Sequence, residues 1–326
     1  MATKERLLAL LEENRGEYLS GEELAGALGV SRAAVWKAIN ALRQAGYPIA
    51  AATNRGYCMD EAADVLDEQS VRRHAGAACQ DLPITVLPVT VSTHAALREL
   101  AGGGAQAPCV LLAGEQTGGR GRRGRTFFSP PDTGVYMSLL FRPRHCAVQQ
   151  ATLLTALAAV AMCEAIEEVF GEPAQIKWVN DVFVHGKKVC GILSEASLSM
   201  ESGEVESVVL SAGVNVYPPH GGFPPELADA AGAIAQEAQP DGRNRLAAAF
   251  LRRVLDAAGQ GNWSACVEAY RRRSLALGHT VTVLQGDSAH SALVCGIDDM
   301  CRLQVRYDDG ETASLSYGEI RIRLDE

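Results

Sequence analysis

The sequence predicts a multidomain α/β chain: an N-terminal winged helix-turn-helix, a central mixed α/β domain and a small C-terminal β-barrel. Capped helical patterns crowd the first sixty residues, β-branched runs separated by helical stretches begin at Pro83, and short alternating strands begin near Leu277. A chain of 326 residues with 47% hydrophobic content can bury more than one core. The expected boundaries are 1–62 for the winged helix, 63–82 for a linker, 83–274 for the central domain and 275–326 for the C-terminal domain.

Residues 4–14, KERLLALLEEN, place Leu7, Leu8, Leu10 and Leu11 on one apolar helical stripe. Ser20 is a good N-cap with Glu23 three residues on, Gly29 stands where a helix needs a left-handed C-terminal residue, and Ser31 caps the next helix, Arg32 to about Ala45. That helix carries Arg32, Lys37 and Arg43 without an acid, whereas its predecessor holds Glu22 and Glu23. YPIAAATNRGYCM then reads as a hairpin turning at Asn54, Arg55 and Gly56. A helix-turn-helix followed by a hairpin is a winged helix, with the second helix entering the major groove. The candidate DNA-binding residues are Ser20, Ser31, Arg32, Ala33, Lys37, Asn40 and Arg55. Residues 1–60 hold seven basic and seven acidic side chains, so attraction to operator DNA is local and needs a dimer for useful affinity. The competing reading is a small helical interaction domain whose basic helix faces water. EAADVLDEQSVRRHAG reads as a connecting helix.

Composition excludes several classes. The apolar stretch Ala151–Cys163 is too short and too polar for a membrane span and reads as a buried core helix. No basic stretch with an apolar segment and a small-residue cleavage site opens the chain, so the expected location is cytoplasmic. The nine cysteines, Cys58, Cys79, Cys109, Cys146, Cys163, Cys190, Cys266, Cys295 and Cys301, show no C-x-x-C pair and read as reduced core or surface thiols. The seven histidines form no metal-binding pattern.

The central domain follows as PITVLPVTV, PCVLLAGEQ, VYMSLLFRP, a long helix near 147–170, IKWVNDVFV, KKVCGILSEAS and SVVLSAGVNV. Only one helix separates two groups of strands, which argues against a regular doubly wound fold. Between two strands lies GGRGRRGR, with four arginines at 120–125 in a chain of net charge −9. Glycines permit close backbone approach and arginine forks pair with phosphate oxygens, so the loop suits a polyanion. It lacks the lysine and hydroxyl of a P-loop, and no helix follows it as in a Rossmann unit. An RNA-binding loop, another kind of nucleotide-phosphate loop and an idle solvated loop remain level on charge alone. The second cluster, IKWVNDVFVHGKKVCGILSE, separates them: Lys177, Asn180 and Asp181 meet at a strand end, and a lysine in apolar surroundings is costly unless it meets an anion. Its bland alternative is a surface salt bridge from Lys177 to Asp181.

GRGRRGRTFFSP with KWVNDVFVHGKKVCGIL and SAGVNV resembles the biotin protein ligase family in its bifunctional ligase and biotin-operon repressor form. VLPVTVSTH resembles its biotin-loop segment, and the likeness covers nearly the whole chain. The resemblance implies that biotin's carboxylate attacks the α-phosphorus of ATP to give biotinyl-5′-adenylate, which a lysine of a carboxylase's biotin carboxyl carrier domain then takes up. It implies biotin contacts from Ser92, Thr93, His94, Gln116, Gly119, Arg120, Gly121, Arg122, Lys177, Gly191, Leu193 and Gly213. The adenylate falls to Arg120, Arg122, Arg123, Arg125, Phe127, Lys177, Asn180 and Asn215, with Lys177, Arg122 and Arg120 as the catalytic cations and Asp181 as the Mg2+ ligand. ATP and Mg2+ are the implied cofactors, biotin is both substrate and co-repressor precursor, and homodimerisation through the central sheet edge is implied. Val91 and His94 stand where the family has Asp and Asn, Phe127 where it has Trp, and Val179 where it has Pro. Those departures motivate two alternatives, a biotin sensor without ligase activity and a lipoate-type acyltransferase.

The C-terminal strands, with turns at QGD and DDG, form a small β-barrel that is SH3-like by resemblance. In the family it helps hold ATP and the acceptor; by itself it could equally be a packing cap. NRLAAAFLRRVLDAAG and NWSACVEAYRRRSLAL read as amphipathic scaffold, with Arg271–Arg273 on a solvated face.

Overall fold

The computed structural model describes residues 3–142, 151–198, 204–260, 263–285, 288–316 and 319–322. Two compact units emerge: Met1–Leu66 with Glu237–Asn244, and Asp67–Gln236 with Arg245–Glu326.

The first unit opens with α1 (Thr3–Glu13), α2 (Gly21–Leu28) and α3 (Arg32–Gln44), followed by β1 (Ile49–Ala52) and β2 (Gly56–Met59) in an antiparallel hairpin. Ser20 and Glu23 complete a reciprocal capping box at α2, Gly29 adopts φ 67°, and the Ser31 hydroxyl accepts from the Ala34 amide at 3.2 Å. The helices bury Leu7, Leu11, Leu24, Val35, Ile39 and Leu42 against Met59 and Ile49. The hairpin is pinned by two backbone hydrogen bonds exchanged between Leu19 and Tyr57, in which each amide donates to the other's carbonyl at 2.9 Å. That approach demands Gly56: its φ is 103°, and a Cβ there would stand 2.1 Å from the Leu19 carbonyl oxygen. Gly56→Ala is therefore expected to destabilise this unit by about 2 kcal/mol or more, measured as a lowered midpoint when α-helical signal is followed in urea; an unchanged midpoint would contradict the packing described.

In the second unit α4 (Glu68–Ala75) is only half of the expected connecting helix, because Asp67 caps it by accepting from the Gln69 and Ser70 amides. Then come β3 (Ile84–Thr90), α5 (Thr93–Gly102), β4 (Cys109–Gln116), β5 (Gly134–Phe141) and α6 (Ala151–Phe170). α5 corrects the expectation of a single helix among the strands: Ser92 caps it, and it carries β3 over to a parallel β4. Residues 147–150 of the expected long helix lie outside the described residues, as does Cys146. β6 (Gln175–Lys177), β7 (Asp181–Val184), β8 (Lys187–Leu198) and β9 (Val205–Asn215) complete a seven-stranded sheet ordered β3-β4-β5-β9-β8-β7-β6, antiparallel except for its first pair. Seven of the eight residues of β5 are buried, so both sheet faces are covered there.

α7 (Gly242–Gln260) and α8 (Trp263–Arg273) follow, then β10 (Thr280–Gln285), β11 (Ser288–Ile297), β12 (Leu303–Tyr307), β13 (Thr312–Leu315) and β14 (Glu319–Ile322). These last strands form a five-stranded antiparallel sheet ordered β13-β12-β11-β10-β14. Its edges do not pair among the described residues, so the expected barrel is an open sheet here. Arg271, expected on a solvated face, donates to the Ile297 carbonyl at 2.7 Å and pairs with Asp299 at 2.8 Å. Arg273 pairs with Glu167. No described helix is long and apolar enough to cross a membrane.

Candidate functional site

Strand register builds the site. Tyr136 stands opposite Gly213, Gly213 opposite Gly191, Gly191 opposite Asp181 and Asp181 opposite Lys177, one row across β5, β9, β8, β7 and β6. Directly opposed residues present their side chains on one face. The two glycines therefore leave a bare strip with a carboxylate and an ammonium at its end. The Phe127 ring fills part of it: a Cβ on Gly213 would meet that ring at 2.7 Å and one on Gly191 at 3.4 Å.

The neighbouring row runs Leu111, Ser138, Ser211, Leu193. Its two serines join a buried polar chain. The His94 Nδ1 lies 2.7 Å from the Ser211 hydroxyl, which lies 2.7 Å from Ser138; Ser138 donates to Thr93 at 2.9 Å. Thr93 donates through its amide to Gln116 Oε1 at 2.9 Å, and Gln116 Nε2 donates to the Ser129 hydroxyl at 3.0 Å. The other face of the imidazole, Nε2, is 3.3 Å from a Glu195 carboxylate oxygen but without hydrogen-bond geometry. Burial pushes the His94 pKa below its ordinary 6.5 against the pull of Glu195, with Arg98 and Arg120 assisting.

As pH falls through 6.5 the unfolded chain takes the proton before folded His94 does, so the stability of the neutral imidazole is complete above 6.5 and is lost below it. Wild type is expected to lose more thermal stability between about pH 7.5 and about pH 5.5 than His94→Asn does; equal losses in the two proteins would refute this.

Two adjoining cavities gather most of the candidate residues. The first is lined by Ser92, Thr93, His94, Gln116, Arg120, Phe127, Met137, Gly191, Leu193, Ser211, Ala212 and Gly213. The second is lined by Arg120, Gly121, Arg122, Arg123, Arg125, Thr126, Lys177, Trp178, Asn180, Asp181, Lys188, Gly191, Ile192, Leu193 and Ile320. Arg120, Gly191 and Leu193 belong to both.

The arginine loop is folded by short-range bonds. The Gly121 amide donates to the Arg125 carbonyl at 2.7 Å, and the Phe127 amide donates to the Gly119 carbonyl at 2.9 Å. Arg122 Nη1 reaches Asn180 Oδ1 at 3.0 Å, while Asn180 Nδ2 donates to the Ile192 carbonyl at 2.7 Å. The turn between β6 and β7 is itself held by the buried Trp178 indole, which donates to the Cys301 carbonyl, and by the Tyr270 hydroxyl, which donates to the Val179 carbonyl, both at 3.0 Å. The expected alternative pairing of Lys177 with Asp181 is not the one formed: Asp181 pairs with Lys188 at 2.6 Å. Lys177 makes no ion pair among the described residues, and its Nζ lies 5.9 Å from the Phe183 ring centroid.

Two expected residues stand apart from the linings. Asn215 is buried and donates to the Gly232 carbonyl at 3.1 Å, and Gly119 packs beneath the loop. Sequence reasoning missed Ser138, Ser211 and Lys188. A single serine in VYMSLLF and in VVLSAGV was the available signal for the serines, and the second lysine of HGKK was the signal for Lys188. The eight described cysteines are free, and burial pushes the Cys163 and Cys301 thiols up to about 12. Neither is poised as a nucleophile.

In the first unit, Arg32, Ala33 and Lys37 are exposed on α3, Asn40 is half-buried, and Arg55 projects from the hairpin over the Tyr18 ring at 4.1 Å. The Ser20 and Ser31 hydroxyls are engaged as caps.

A helix-turn-helix module on the same chain as a sheet domain whose polar cleft opens onto clustered arginines and lysines defines a class: an enzyme for anionic substrates that bears a DNA-binding module. Comparison with known proteins gives the family. Residues 86–215 match the biotin/lipoate A/B protein ligase family, residues 3–58 an HTH domain and residues 276–323 the biotin protein ligase C-terminal domain. The chain is 38% identical over 232 residues to the bifunctional ligase/repressor BirA of Bacillus subtilis, covering 71% of this chain and 70% of that one. It is 28% identical to the Escherichia coli protein of the same name over 98% of this chain and 96% of that one. A solved biotin protein ligase from Aquifex aeolicus, in complex with biotin and ATP, superposes with TM-score 0.60 at 25% identity, covering 74% of this chain and 98% of that one. The chain belongs to the biotin protein ligase family and is a biotin ligase with an N-terminal helix-turn-helix repressor domain.

Proposed function

We propose that the chain forms biotinyl-5′-adenylate from biotin and ATP, transfers the biotinyl group to a lysine of a carboxylase's carrier domain, and represses transcription as an operator-bound dimer. The observation that carries this reading is the continuity of the two cavities through Arg120, Gly191 and Leu193. A neutral, hydrogen-bonding end suits the ureido ring, and the cationic end suits a carboxylate meeting a triphosphate.

In this scheme Ser92, Thr93, His94 and Gln116 hold the ureido group and thiophene ring, over a floor of Gly191, Leu193 and Gly213 with Gly119 beneath. Phe127, whose ring lies over Gly213 and Gly191, faces the adenylate. Arg120, Gly121 and Arg122 meet the carboxylate, and Arg123 and Arg125 order the loop around the nucleotide. A carboxylate oxygen of biotin attacks the α-phosphorus, the bond to the bridging oxygen breaks, and pyrophosphate leaves. Lys177, with no partner to give up among the described residues, stabilises the charge gathering on the α-phosphoryl oxygens. The carrier lysine's amine then attacks the acyl carbon of the adenylate, AMP departs, and an amide is left. Biotin supplies the nucleophile for the first step and the carrier for the second, so the ligase needs none of its own.

Asp181 is the only carboxylate among the described residues lining the cationic cavity, which fits an Mg2+ ion bound by one carboxylate and substrate phosphates. Asp181 with Asn180 would hold the ion, which would neutralise phosphate charge. Asn215 would close the nucleotide end. The proposed boundaries are 1–62, 63–82, 83–274 and 275–326, the last folding as an SH3-like cap, in a protein that works in the cytoplasm and dimerises through the central sheet edge. The test is intact-mass analysis of a biotin carrier domain after incubation with the chain, ATP, MgCl2 and either biotin or lipoate. One biotinyl group on one carrier lysine is expected; lipoyl transfer, or binding of biotin without any transfer, would replace the proposal.

A further inference from the structure

Trp36 is 60% exposed, although a large aromatic ring is normally at least half covered. It lies on α3, whose other face buries Val35, Ala38, Ile39 and Leu42, so nothing in the module's core needs it. Arg32, Ala33 and Lys37 share its solvent side, and α3 contains no acid. The ring borders a groove between α3 and the hairpin, lined also by Glu22, Arg32, Thr53, Asn54 and Tyr57. Arg43 is not free to serve this face, because its Nε donates to the Ile49 carbonyl at 2.9 Å.

We infer that Trp36 reads the 5-methyl group of a thymine in the major groove of the operator. The inference rests on the DNA-binding reading given above. Cations on the same helix face match phosphates, and they bring an apolar ring against base edges. The thymine methyl is the one alkyl group among the hydrogen-bond donors and acceptors that the base edges display in that groove. An indole placed among Arg32, Lys37 and the half-buried Asn40 therefore selects thymine by contact.

The experiment takes duplexes that the full chain, with biotin and ATP, enriches from a random-sequence pool, and replaces each thymine in turn by deoxyuridine, which deletes only the methyl. Wild type is expected to lose about fourfold in affinity at one thymine per half-site. Trp36→Ala is expected to bind thymine and deoxyuridine duplexes equally and more weakly than wild type binds thymine, while Trp36→Phe keeps part of the preference. An unchanged urea midpoint of the α-helical signal in each variant shows that the helix-turn-helix unit is folded, and unchanged carrier biotinylation shows the same of the second unit. A thymine preference that survives in Trp36→Ala, or no methyl-sensitive position at all, overturns the inference while DNA binding stands. A pool from which wild type enriches no sequence overturns the DNA reading and the inference together.

Discussion

Replacing Lys177 by alanine is expected to slow biotinyl-adenylate formation by about 100-fold to 1,000-fold. The magnitude comes from what the ammonium does and does not touch. It stands at the end of the row that begins with Tyr136 and crosses two glycines, and it makes no ion pair among the described residues. Its removal breaks no existing salt bridge and leaves no orphaned charge, so the loss appears in chemistry and not in folding. Single-turnover adenylate formation should fall by that factor, while biotin affinity in the absence of ATP changes far less. A matching collapse of biotin affinity would mean that Lys177 builds the pocket and does not act on the reacting phosphorus.

Gly119→Ala should cut biotin affinity by about 5-fold to 150-fold. A Cβ at this position would stand 2.4 Å from the Phe127 carbonyl oxygen, 2.7 Å from the Ser129 hydroxyl and 3.1 Å from Gln116 Nε2. The first neighbour is backbone and cannot swing aside, so the hydrogen bond that the Phe127 amide donates to the Gly119 carbonyl at 2.9 Å must stretch or break. Relief of such overpacking typically costs 1–3 kcal/mol, about 5-fold to 150-fold in a binding constant. The shift also carries Gln116 away from Thr93, which loosens the polar chain behind the pocket. Isothermal titration with biotin measures it, and an affinity within twofold of wild type would contradict the packing.

Much of this was legible in the residues because local rules are sequence-local. Ser20 with Glu23, Gly29 and Ser31 mark the helix-turn-helix, and the structure forms each cap as expected. The glycine-spaced arginines and the KWVND segment announce an anion site, and both line the second cavity. Register is not local. Nothing in the strings VYMSLL, VVLSAGVN and CGILSE says that Ser138 stands opposite Ser211, or that Gly213 and Gly191 share a row with Lys177. α5 was hidden because THAALRELAG is brief and closely follows the β-branched run that ends at Val91, with only its N-cap, Ser92, between them. Lys188 escaped because its partner, Asp181, is set by the hairpin bulge between Val182 and Phe183 and not by spacing. The open edges of the C-terminal sheet likewise depend on pairings that an alternating pattern cannot specify.

The proposed function requires one cleft, from the His94 chain to Lys177, to hold biotin and ATP together for adenylation. Biotin-dependent exchange of labelled pyrophosphate into ATP, with the full chain, MgCl2 and no carrier domain, tests it most directly. Exchange is expected to require biotin, to be unsupported by lipoate, and to fall with Lys177→Ala by about 100-fold to 1,000-fold. Tight biotin binding without any exchange, or exchange indifferent to Lys177, would contradict it.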